Sequence, residues 1–305
     1  MIAVTDIGFV DRVAIVTGAG GGLGRTYALE LAARGASVVV NDLGGSAAGV
    51  GADASAAQKV VDEIHAAGGA AVASHDSVAT PEGGQAIVSA ALEAFGKVDI
   101  VINNAGILRD RTFAKLAHED LDAVLDVHLK GAFHVTQPAF RAMKENNYGR
   151  IVFTASNAGV LGNFGQTNYG AAKMGLVGLN NVLALEGAKN NIKSNVICPL
   201  ARTRLTEELL GPLADALDPE LVTPMVVYLA SEACEYTHEI FSAGGGRYAR
   251  MFVGLTPGWF AGKGAAVSAE DVAAHLDDIR AQDGYIVPSS VTDELGALLP
   301  LLQSD

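Results

Sequence analysis

The chain has 305 residues, half of them hydrophobic and 18% charged, a composition able to bury a sizeable core as one large α/β domain or one domain plus an extension. A net charge of −13 argues against nucleic acid or an anionic membrane surface as a partner. Two cysteines, Cys198 and Cys234, are too few for a disulfide framework, and seven histidines show no metal-ligand spacing.

Residues 12–42, "RVAIVTGAGGGLGRTYALELAARGASVVVND", read as strand, glycine turn, helix and a second strand ending in acid. Gly18, Gly22 and Gly24 form a Thr-Gly-x3-Gly-x-Gly turn; the plain G-x-G-x-x-G expression fails because Leu23 and Arg25 stand where it needs glycine. Small residues there let the backbone approach a pyrophosphate at a helix N-terminus, where free N–H groups and the dipole favour anions. Asp42 follows Gly24 by 18 residues and ends the second strand. A carboxylate at that place accepts from the ribose hydroxyls of NAD and repels the extra phosphate of NADP. A nicotinamide dinucleotide site, for NAD, is the expectation.

A Gly/Ala loop, "GGSAAGVGADASAA", follows, and then apolar strands alternate with helical patterns: "AAVAS", "DIVIN", "RIVFTA", "SNVIC" and, as the last strand, "EIFSAG". That rhythm predicts βαβ units and a Rossmann-type, doubly wound parallel sheet. Ser156 ends the run "GRIVFTAS", at a strand's C-terminal edge, where open α/β sheets bind ligands. Tyr169 and Lys173 sit four apart on the next helix, on one face. A free tyrosine has a pKa of ~10 and is a poor base at neutral pH. An ammonium acting on it directly, or through a bound ribose, lowers that value and makes the phenol a general acid/base. Alone, a Tyr-x3-Lys pair describes many amphipathic helices; the glycine turn and Ser156 give it meaning.

Gly244, Gly246 and Ala249 do match G-x-G-x-x-G/A, but no clear helix and acid-ended strand follow, so a turn leaving the sheet is expected there. The predicted division is a dinucleotide-binding domain over 1–243 and an extension over 244–305 packed on it, with a helix near 268–282. Trp259 and Phe260 suit either anchoring that extension or covering a pocket. Cys198, in the apolar "NVICPL", reads as a buried small side chain.

Thr17-Gly18, Gly22, Gly24, "NNAG" at 103–106 and the Ser156/Tyr169/Lys173 triplet resemble the short-chain dehydrogenase/reductase superfamily over roughly residues 10–243. "VVVNDLGG", "NNAGILRDR", "VHLKGAFHVT" and "GNFGQTNYGAAKMGLVGL" are similar to one subgroup, the (3R)-hydroxyacyl-CoA dehydrogenase part of peroxisomal multifunctional β-oxidation enzymes, also called 17β-hydroxysteroid dehydrogenase type 4. The resemblance implies that Tyr169 moves the substrate hydroxyl proton, that Lys173 holds the nicotinamide ribose and depresses Tyr169, and that Ser156 orients the hydroxyl or carbonyl. It implies Asp76 with Ser77 at the adenine, and Leu23, Asn103, Ala105 and Gly106 beside the cofactor. Many members have an asparagine where "VHLKG" has His128, which suits a proton relay or packing equally.

Leu200 replaces a usual glycine in "CPLARTRLT", and Arg202 there is either a solvated loop cation or a contact for an anionic substrate group. Arg109 and Arg111 raise the same question, since coenzyme A carries phosphates. The implied activity is NAD-dependent oxidation of (3R)-3-hydroxyacyl-CoA in fatty-acid or sterol side-chain β-oxidation. A hydroxysteroid dehydrogenase acting on steroids or sterol-CoA esters, and a catalytically silent NAD-binding partner of a separate enoyl-CoA hydratase, are the alternatives. Apolar helices around 120–144 and 167–188 imply a homodimer or homotetramer. No apolar run approaches the ~18 residues of a spanning helix. The N-terminus has no basic-then-apolar leader pattern and the C-terminus no Ser-Lys-Leu address, so a cytoplasmic protein is expected.

Overall fold

The computed structural model describes residues 6–203 and 215–303. Seven strands, β1 (Val13–Thr17), β2 (Ser37–Asn41), β3 (Ala70–Ser74), β4 (Ile100–Asn103), β5 (Gly149–Thr154), β6 (Ile192–Pro199) and β7 (Ile240–Gly244), form a parallel sheet. An eighth, β8 (Arg247–Met251), follows across Gly245 and Gly246, giving the order β3-β2-β1-β4-β5-β6-β7-β8. Gly245 and Gly246 take φ +57° and +78°, which L side chains rarely adopt, so this glycine run is indeed a turn. The expected last strand is not the last, however: β8 extends the sheet past the 243/244 boundary, and the two compact units are Met1–Arg250 and Met251–Asp305.

The β1–β5 strands read as continuous apolar runs because helices cover both faces. Val16, Val40, Ile102, Val152 and Ile197 are fully buried against Tyr27 and Leu31 of α1 (Gly22–Ala33) and Val60 and Ile64 of α2 (Ser55–Ala66). Strand order reverses between β1 and β4, which opens a crevice at the C-terminal strand ends. The other face carries α3 (Pro81–Phe95), α5 (Gly131–Asn146) and α7 (Thr167–Gly187). α3 starts on Pro81 with Thr80 capping Gly83 N–H, and ends on left-handed Gly96.

The sequence suggests one uninterrupted helix over 120–144. The structure instead shows α4 (His118–Leu125), one π turn over Asp126–Lys130, and then α5. The wider turn holds His128 inside at 3% exposure, with Asp126 and Lys130 paired on the surface.

Within Met251–Asp305, Leu255 pairs antiparallel with Ile286, Phe252 stacks on Tyr285 and Trp259 on His275. The helix expected near 268–282 is two short pieces, Ala269–Ala274 and Leu276–Arg280. A further helix, Val291–Gln303, escaped the sequence reading because "VPSSVTDELG" looks like a loop; Asp293 accepts from Ser289 N–H and Oγ at its start. No described residue of this unit is buried.

Candidate active site

The glycine turn is built for close approach. Gly18 at φ +63° lies against the next crossover, so a Cβ there would come within 2.7 Å of Ala105 Cα; on Gly24 it would fall 2.2 Å from Gly18 O. Thr17 Oγ1 accepts from Asn104 and Ala105 N–H, and Asn104 Nδ2 donates to the Thr17 and Gly18 carbonyls. The 104–105 peptide thus buttresses the turn. α1 is capped at its N-terminus only by Gly21, without a side-chain cap and without an acid in its first turn, leaving Gly22, Leu23 and Gly24 N–H groups for an anion.

Asp42 stands at the end of β2, its Oδ2 accepting from Gly20 N–H at 2.8 Å and its Oδ1 from Gly44 N–H at 2.7 Å. A Cβ on Gly20 would collide with that carboxylate at 2.9 Å. Asp76 is exposed at the end of β3, tied to Ser74 Oγ and, through its carbonyl, to Asn41 Nδ2; Ser77 Oγ caps Ala79 N–H. Asn103 ends β4 with its amide turned inward onto Thr136. Gly106 lies so near His128 that a Cβ would meet its ring at 2.4 Å. These residues share the C-terminal edge of the sheet, and their glycine cradle, uncapped helix and carboxylate fit a dinucleotide.

Next to them stands the triplet. Ser156 caps the short helix Asn157–Val160, accepting from Ala158 N–H at 3.1 Å, and its hydroxyl is close enough to Tyr169 to pull on the phenol's titration. Burial pushes the Tyr169 phenol up to about 12, against the pull of the Ser156 hydroxyl. Lys173 is 3% exposed, donates to Thr154 O at 2.5 Å, and is pushed by burial down to about 7. Its Nζ lies 5.5 Å from the Tyr169 ring centroid. The expectation that Lys173 depresses Tyr169 is therefore not met in this arrangement. Lys173 is turned to the Thr154 carbonyl and is not among the groups that shift the phenol.

His128 packs edge-on against Tyr169 at 5.2 Å, and its Nε2 lies 2.7 Å from Ile107 O. Burial first, and the Lys173 charge second, hold it well below its usual value, so it is neutral. Its Nδ1 is buried without a partner among the described residues. His128 also lines a water-sized cavity of about 10 Å³ together with Lys173, Asn103 and Thr17.

Arg109 is not a free cation: it donates to Ala48 O at 3.0 Å and to Asp120 at 3.4 Å. Arg202 pairs with exposed Asp215 at 3.3 Å. Cys198 is fully buried and its thiol is pushed up to about 12, which fits a packing side chain. Three contributors went unnoticed in the sequence. Thr154 supplies the lysine's acceptor, Asn168 holds Tyr169 N–H at 2.9 Å, and Asp110 is tied to Gln166 at 2.6 Å. Only Asn168, next to Tyr169, left a readable signal. Among the described residues no His, Cys, Asp and Glu group could hold a metal ion, and no helix is long and apolar enough to cross a membrane.

The chain matches the short chain dehydrogenase family over residues 12–210. It is 52% identical over 277 residues to a short-chain type dehydrogenase/reductase of Mycobacterium tuberculosis, covering 89% of this chain and 95% of that protein. It is 54% identical over 239 residues to the peroxisomal multifunctional enzyme type 2 of Mus musculus, covering 78% of this chain but 32% of the mouse enzyme, so it spans about a third of that relative's length. A solved 7α-hydroxysteroid dehydrogenase, in complex with NADH and 7-oxo glycochenodeoxycholic acid, superposes with a TM-score of 0.71 and 29% identity over 78% of this chain and 95% of that one. Motif, fold and relatives agree: this chain is a member of the short-chain dehydrogenase/reductase family, an oxidoreductase acting on CH–OH groups.

Proposed function

We propose that the chain oxidises (3R)-3-hydroxyacyl-CoA to 3-ketoacyl-CoA with NAD. The observation that carries this is that Ser156, Tyr169 and Lys173 gather at the same sheet edge as the glycine turn and Asp42. The acyl-CoA class is supported by 39% identity over 250 residues to a hydroxyacyl-CoA dehydrogenase of Mycobacterium tuberculosis. NAD is supported by Asp42, whose charge opposes a 2′-phosphate, and by the NADH complex of the solved relative.

A bound oxidised nicotinamide supplies the acceptor for the carbinol hydrogen with its electron pair, and a positive charge beside the phenol. Tyr169 takes the hydroxyl proton as the C=O forms. Ser156 hydrogen-bonds the same oxygen and orients it. Lys173 has three ammonium donors, one of them on Thr154 O, so others remain for ribose hydroxyls. His128 supports the edge of the Tyr169 ring and stays neutral beside it.

The solved relative's bile-acid ligand favours one second reading, a hydroxysteroid dehydrogenase. The complete triplet speaks against a silent partner of a hydratase. We further propose a cytoplasmic homo-oligomer, its association supported by exposed Phe133 on α5 and Val182 and Leu185 on α7. The test is NADH formation from separate (3R)- and (3S)-3-hydroxyacyl-CoA esters and from steroid alcohols. Turnover confined to the (3R) esters is expected; turnover of steroids alone refutes the acyl-CoA assignment.

A further inference from the structure

The Gly/Ala loop of residues 43–54 is a tethered turn. Ser46 and Val50 close it, with Ser46 N–H donating to Val50 O at 2.9 Å and Val50 N–H to Ser46 Oγ at 3.1 Å. Its start is fixed by Gly44 N–H on Asp42. Its tip is fixed on the segment after β4: Leu108 N–H donates to Ala47 O at 2.9 Å and Arg109 Nε to Ala48 O at 3.0 Å. Gly49, at φ +77°, lies so close to Ile107 that a Cβ would meet its Cγ2 at 3.0 Å.

The same guanidinium reaches α4 through Asp120, and the Arg109 carbonyl accepts from Asn168 Nδ2 at 3.0 Å. Asn168 Oδ1 in turn accepts from Tyr169 N–H. Bonded contacts therefore run from Asp42 through the loop tip and Arg109 to the residue bearing the phenol. A planar guanidinium with donors in a fixed fork suits such a junction, and an ammonium does not.

We propose that Arg109 is a positioning residue, which by clasping the tip of loop 43–54 to α4 holds the dinucleotide end of the site in register with Tyr169. This rests on the dinucleotide reading of Asp42, and it replaces a role for Arg109 on coenzyme A phosphates. Loop glycines at positive φ, Gly44, Gly49 and Gly51, leave much chain entropy to be lost when the loop orders. Without the clasp, cofactor binding must order the loop itself and is weakened by that cost.

Arg34 provides a matched control, since it also joins one carboxylate, Glu30, and one backbone carbonyl, Ile7 O, away from the site. NAD and NADP are titrated by calorimetry into the wild type, Arg109→Gln, Arg109→Lys and Arg34→Gln, with Tm and kcat/KM measured beside them. Both Gln variants are expected to lose a similar few degrees of Tm. Arg109→Gln alone is expected to weaken dinucleotide binding about 10-fold and to lower kcat, with Arg109→Lys intermediate. Wild-type affinity in Arg109→Gln, or an equal loss in Arg34→Gln, overturns the proposal. If the wild type prefers NADP, the cofactor reading fails while the same comparison, read on NADP, still decides the clasp. A wild type that binds neither dinucleotide overturns both.

Discussion

β1, β4 and β5 carry polar side chains at both of their ends, and the two ends treat them differently. At the N-terminal edge, Asp99 is 2% exposed and accepts from Val13 N–H at 2.9 Å, Lys97 at 3.1 Å and Arg12 at 3.3 Å. Arg150 is buried beside it and donates to the carbonyls of Ser231, Gly149 and Asn191. At the C-terminal edge, Thr154 Oγ1, Asn157 Oδ1 and His128 Nδ1 are buried without partners among the described residues. There Lys173 is driven down to about 7 and Tyr169 up to about 12. The separation is incomplete, since the Tyr148 hydroxyl at the first edge also lacks a partner, its ring lying between Arg12 and Arg150. Charges that satisfy one another add stability; charges left short of partners cost stability and keep the capacity to act on a ligand.

Substitutions at the two edges should therefore separate activity from stability. Tyr169→Phe removes the proposed proton acceptor, and kcat is expected to fall about 10³-fold or more with Tm nearly unchanged. An equal loss of Tm would blur the contrast. Arg150→Ala strands three carbonyls and should cost about 3–5 kcal/mol in urea unfolding, with kcat per folded molecule preserved. Lost turnover in the folded fraction would mean that the edges are coupled.

Lys173→Met should abolish turnover yet raise stability. The folded pKa of Lys173, about 7, lies below the ordinary lysine value of 10.5. Between those values the unfolded chain holds a proton that the folded chain does not, so wild-type stability rises with pH across this window. The advantage of Lys173→Met, on the order of a few kcal/mol, is then fully present below pH 7 and fades toward 10.5. Unfolding at several pH values checks it, and a pH-independent difference would refute it. Asp42→Ala is the mildest change, expected to weaken NAD about 10-fold and relax discrimination against NADP, read by parallel titrations.

The seven parallel strands, the glycine turn, Asp42 and the Ser156/Tyr169/Lys173 triplet were all legible, because strand burial and short-range helical spacing write directly into residue order. β8 was not, since "RYARM" is a half-exposed edge strand without an apolar run. Neither was the π turn, because one extra residue in a helical turn leaves the apolar pattern almost intact.

By itself the sequence determined the fold class and singled out the candidate dinucleotide edge of the sheet and the candidate triplet, for these depend on local periodicity and fixed spacing. Only the tertiary structure decided what those groups experience. Lys173 turns to Thr154, Tyr169 is raised rather than lowered, and Arg109 joins two loops 61 residues apart instead of standing free. Burial and long-range hydrogen bonds set pKa values and partners, and both depend on which distant segments meet.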